Sequence, residues 1–75
     1  MAVTLKLYSQ HDAYNLSDVT ITFHPDMGGS IVIATGVTLP YYWTTDYYYG
    51  TFDFHYNSGY LAGEECHLDI IQPTP

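Results

Sequence analysis

Apolar and polar residues alternate with a period of two over most of this chain. In Val3-Thr4-Leu5-Lys6-Leu7 the apolar side chains fall on one side of an extended backbone, with Thr4 and Lys6 on the other, because successive strand residues point to opposite faces. Val19, Ile21 and Phe23 alternate in the same way with Thr20, Thr22 and His24, and Phe52, Phe54 and Tyr56 alternate with Thr51, Asp53 and His55. Ser30-Ile31-Val32-Ile33-Ala34 is instead a continuous run rich in β-branched residues, the pattern of a strand covered on both faces.

Turn chemistry marks where these segments join. His24-Pro25-Asp26-Met27-Gly28-Gly29 separates two strand-like runs and predicts a hairpin between them. Tyr41-Tyr42-Trp43 and Tyr47-Tyr48-Tyr49, on either side of Thr44-Thr45-Asp46, suggest a second, aromatic hairpin, with Gly50 at a bulge. Asn57-Ser58-Gly59 turns the chain, and Cys66, Leu68 and Ile70 supply a last strand that closes the core. The tail Gln72-Pro73-Thr74-Pro75 is expected to end the domain, since proline donates nothing to a ladder. Helical periodicity is found nowhere; only Gln10 to Ser17 has room for a turn or two, and its Asp, Asn and Ser favour a loop. The expected architecture is all-β: one small domain over residues 1–75, with five to six mostly antiparallel strands in a small barrel or a two-layer sandwich.

Charge narrows the function classes. Lys6 is the only Lys or Arg, against eight Asp and Glu, for a net charge of −7. Phosphate backbones and anionic membrane surfaces are bound through clustered cations, so nucleic acid and membrane are excluded as partners. Cys66 is the only cysteine, which rules out an intrachain disulfide and a thiolate zinc site. No apolar run has the length of a signal peptide or a membrane span, so a cytoplasmic location is expected. For the same reason the sequon Asn15-Leu16-Ser17 is taken as chance. Charged residues are only 12% of the chain, so Thr, Tyr, Ser, Asn and Gln make most of its polar surface, which is adhesive rather than repellent.

The tyrosines carry the strongest functional signal. Consecutive strand residues cannot all be buried on one side, so the row Tyr41, Tyr42, Trp43, Tyr47, Tyr48 and Tyr49, with Asp46 between its halves, is expected to expose some of its rings as a partner-binding surface. Against this stands the plainer reading that tyrosine is a good strand residue pairing across a hairpin. The two weigh about equally. Asp53 and His55 are two apart on one strand, as are His67 and Asp69 on another, so the four would converge on a divalent metal if those strands were antiparallel neighbours. Four solvated polar residues are the favoured reading, and no metal or other cofactor is assigned. Cys66 and His67 are adjacent in a strand and diverge, so they form no dyad, and no nucleophile elbow or phosphate loop is present.

The dispersed acids Asp12, Asp18, Asp26, Asp46, Asp53, Glu64, Glu65 and Asp69 make a negative field that steers toward basic partners; the plainer reading is solubility. The sequence therefore points to a non-enzymatic protein-binding module occupying a basic surface of a larger protein, a character that suits phage-encoded inhibitors of host defence such as anti-CRISPR proteins. One alternative is a virion or filament subunit that forms homo-oligomers through its Thr/Tyr surface. Another is a sugar or nucleotide binder using the aromatic hairpin.

Overall fold

The computed structural model describes residues 2–8 and 17–58, together with the backbone of two further strands over 65–67 and 71–74. It is all-β, with strands β1 (Val3–Leu7), β2 (Val19–Pro25), β3 (Ile31–Val37), β4 (Tyr41–Thr45), β5 (Gly50–Tyr56), β6 (Glu65–His67) and β7 (Ile71–Thr74). They form two sheets, ordered β4-β1-β7 and β3-β2-β5-β6, and every pairing is antiparallel.

The alternating segments form these strands because each can bury one face and hydrate the other. Leu5 and Leu7 from the smaller sheet meet Val19, Ile21, Phe23, Phe52, Phe54 and Tyr56 from the larger, with Leu39 from the connection between β3 and β4. Trp43 on β4 completes the contact between sheets, its ring 5.3 Å from Phe23 and 5.7 Å from Phe52. The arrangement is a two-layer sandwich: the two sheets share a core and are not joined by a ladder among the described residues.

The β2–β3 hairpin forms as the turn chemistry predicts. Gly28 and Gly29 take φ of 110° and 86° there, values open to glycine and strained for other residues. The β3 run is not covered on both faces, however. It lies at the edge of the larger sheet, and Ile31 and Val32 are 52% and 58% exposed. Its register against β2 slips twice, between Val19 and Thr22, which breaks the strict alternation of its faces.

The aromatic hairpin does not form. β4 pairs with β1, setting Leu5 opposite Trp43 and Leu7 opposite Tyr41. Residues 47–49 form no strand and instead carry the chain across to β5 in the other sheet. Thr45 starts this departure: its hydroxyl accepts from the Tyr47 N–H at 3.2 Å and donates to the Tyr47 carbonyl at 2.9 Å. Gly50 is not a bulge. It opens β5 opposite Pro25 in an unbroken register, at a φ of 150° and with Pro25 Cα only 2.9 Å from where a Cβ would stand.

The chain end also departs from expectation. The expected last strand is two short ones, β6 on β5 and β7 on β1, in different sheets. Cys66 lies in β6 opposite Phe54; Leu68 and Ile70 lie outside the described residues, as do Gly59 and most of the Gln10–Ser17 loop. The tail does continue a ladder, with Pro73 paired to Leu5, because β7 is an edge strand, where proline is tolerated.

Candidate functional site

Two clusters of chemistry-bearing side chains stand out, both attached to the β2–β3 hairpin. The first is an acidic aromatic tip. The strand Tyr41–Thr45 presents its residues alternately, with Tyr41 and Trp43 packed against the core and Tyr42 56% exposed. Beyond it, Tyr47 and Tyr48 rest on the core and Tyr49 is 59% exposed. The three rings hold each other: Tyr48 and Tyr49 stack with centroids 5.0 Å apart, and Tyr47 meets Tyr49 edge-on at 5.5 Å, geometries that aromatic quadrupoles favour.

Asp26 anchors this segment to the hairpin turn. Its backbone N–H donates to the Tyr49 carbonyl at 3.0 Å, and its carboxylate accepts from the Tyr47 hydroxyl. That hydrogen bond pushes the Tyr47 phenol above its usual pKa, reinforced by burial and by the charges of Asp26 and Tyr49, since ionising the phenol would lose the bond and set two anions together. Met27 at the turn and Asp46 after β4 are exposed as well. Of the residues expected to bind a partner, Tyr42, Asp46 and Tyr49 are therefore at the surface, Tyr47 and Tyr48 are half-buried, and Tyr41 and Trp43 mainly support the core. Tyr42 stands apart from the tip: it belongs to the smaller sheet, opposite Lys6.

The second cluster occupies the outer face of the larger sheet. With Phe52, Phe54 and Tyr56 buried, Asp53 and His55 face outward. Asp53 meets His24 of β2, Oδ2 to Nε2 at 2.6 Å, and the other ring nitrogen of His24 meets the Ser30 hydroxyl at 2.9 Å. A Ser30–His24–Asp53 chain thus crosses β2, the turn and β5. Serine nucleophiles use such a chain, yet it defines a reaction only with oxyanion donors converging beside the hydroxyl; Ser30 lies on the exposed rim of a hairpin. Of the four metal-ligand positions drawn from the sequence, Asp53 and His55 lie on β5, and His67 lies on β6 opposite Asp53, with Glu65 opposite His55. Asp69 lies outside the described residues. No group of three metal-ligating side chains forms among the described residues.

Sequence reasoning missed Asp26 as the clamp on Tyr47 and missed His24 and Ser30 as partners of Asp53. His24 sits on the polar face of an alternating strand, a visible signal, but its partner depends on the β2–β5 register. Among the described residues no helix is long and apolar enough to cross a membrane. Comparison of the chain with protein families, with curated proteins and with solved structures finds no match.

Proposed function

We propose that this protein is a non-enzymatic binding module that seats its acidic aromatic tip against a basic surface of a larger protein. The observation that carries this reading is the clamp of Tyr47 and Tyr49 on Asp26, which holds exposed aromatic area rigid beside carboxylates. Rigid aromatic rings lose little conformational entropy on binding, and a net charge of −7 with one lysine complements a cationic partner and repels nucleic acid. Inhibition of a host defence protein by a phage-encoded chain is the biological setting that suits this character.

Affinity capture from a host lysate tests it, at low and high salt, beside the variants Tyr49→Ala and Asp26→Asn. The reading expects a basic protein, lost at high salt and lost with either variant. Capture that is indifferent to both variants rejects the tip as the binding surface.

A second reading rests on a different observation. β3 is an edge strand without a charged residue, with Ile31 and Val32 exposed, and such edges pair readily with another strand. Two copies joined antiparallel through β3 would extend the larger sheet and make a self-associating structural subunit. Light scattering on the purified chain decides this reading: a monomer at millimolar concentration excludes it, and a dimer abolished by Val32→Lys supports it.

A further inference from the structure

The outer face of the larger sheet carries a feature independent of the partner-binding reading. Three side chains from three segments meet there in order. His24 lies near the end of β2, one step beyond the Phe23–Ile31 pair of the hairpin, and Ser30 stands on the returning side of the turn. Asp53 sits diagonally across the β2–β5 ladder, where its direct partner is Thr22 and that of His24 is Thr51. Ser30 Oγ is 2.9 Å from His24 Nδ1, and His24 Nε2 is 2.6 Å from Asp53 Oδ2. We infer that Ser30 is an acyl-acceptor site: His24 makes its hydroxyl nucleophilic, and it takes up a small acyl group from an activated donor, a thioester or an aryl ester.

The tautomer follows from the carboxylate. An ionised carboxylate only accepts hydrogen bonds, so the contact with Asp53 places the ring proton on Nε2 and leaves the Nδ1 lone pair facing Ser30. The serine hydroxyl therefore donates to His24, and its oxygen lone pairs are left for attack. A carboxylate that orients an imidazole, and an imidazole that serves a hydroxyl as general base, is the division of labour of activated serines. In the reaction Oγ adds to the acyl carbon as its proton passes to Nδ1. The bond to the leaving thiolate or phenolate then breaks, and that anion takes the proton from His24. The products are an ester at Ser30 and a free thiol or phenol.

Position decides which donors suit. Ser30 is exposed, and a Cβ added at Gly28 or Gly29 would meet nothing within 4 Å, so a donor approaches the hydroxyl from the turn without obstruction. An open rim does not gather oxyanion donors around the carbonyl, so the reaction depends on a leaving group better than an alkoxide. The ester formed has the Ser30 alkoxide as its own leaving group and therefore persists. Ser30 accepts one acyl group without turnover.

Treatment of the full chain with p-nitrophenyl acetate, with the modified residues located by peptide mass spectrometry, tests the assignment. The expected result is an acetyl ester on Ser30 formed about a hundredfold faster than on the exposed Ser58, the factor that a positioned general base supplies. His24→Gln, with folding checked by circular dichroism, should remove that advantage, and Asp53→Asn should reduce it about tenfold or more. Unfolding the unaltered chain in guanidinium should likewise bring Ser30 down to the rate of Ser58, a comparison that needs no variant. Acetylation of Ser30 no faster than that of Ser58 in the folded chain, or a rate that survives His24→Gln, overturns the inference and leaves the three side chains as a brace for the hairpin.

Discussion

Trp43 on β4 meets Phe52 on β5 edge-on, with ring centroids 5.7 Å apart and planes at 79°, an aromatic contact that joins the two sheets. Phe52 in turn stacks on Phe23 at 4.7 Å. Phe52 is fully buried and Trp43 only partly, so their truncations should differ. Phe52→Ala is expected to cost about 3–5 kcal/mol, the usual range for emptying a buried aromatic site, and Trp43→Ala less. Chemical denaturation checks both; an unchanged midpoint for Phe52→Ala would place the core elsewhere.

Gly50 is fixed by the backbone passing over it. A Cβ there would overlap the His24 carbonyl oxygen and press on Pro25 Cα, at a φ of 150°. Neither obstacle is a flexible side chain, so Gly50→Ala should destabilise by about 2–3 kcal/mol. Gly28→Ala meets no atom within 4 Å and carries only the strain of its positive φ, so it should be the milder variant in the same assay.

The Tyr47 phenol predicts an alkaline response. Its folded-state pKa lies above the ordinary 10.0, chiefly because Asp26 accepts its proton in a hydrogen bond. A raised pKa means the folded state holds the proton more tightly than the unfolded state. The stability this contributes is complete below pH 10 and is lost as pH rises through the folded-state value. Titration of Tyr47, followed by its own ring resonances, should therefore show the phenol ionising above pH 10.0, and Asp26→Ala should bring it back toward that value. A shift that survives Asp26→Ala would mean that desolvation, not the Asp26 side chain, raises the pKa.

Single alanine substitutions along the aromatic row should separate by exposure. Tyr42→Ala and Tyr49→Ala remove exposed rings and should change stability by about 0.5 kcal/mol or less. Tyr49→Ala should weaken partner binding by about 2 kcal/mol, whereas Tyr42, on the other sheet, should leave it unchanged. Equal losses of binding from both would show that the docking surface extends beyond the tip.

The inward positions of this protein were determined by the sequence itself. Leu5 and Leu7, then Val19, Ile21 and Phe23, then Phe52, Phe54 and Tyr56 alternate with polar neighbours, and all of them are buried. Alternation is a local property of an extended backbone and needs no knowledge of the partner strand. The β2–β3 turn was legible for the same reason, through Pro25, Gly28 and Gly29. Tertiary structure alone decided which strands meet. A period of two is shared by every strand, so nothing local says that β4 pairs with β1 rather than with residues 47–49, or that β3 lies at an edge with Ile31 and Val32 uncovered. The candidate sites depend on those pairings: Asp26 reaches Tyr47 because the crossover passes the hairpin turn, and Asp53 meets His24 because β5 pairs with β2 in this register. Register is set by the packing of all the inward faces together, a long-range balance that no single segment of the chain contains.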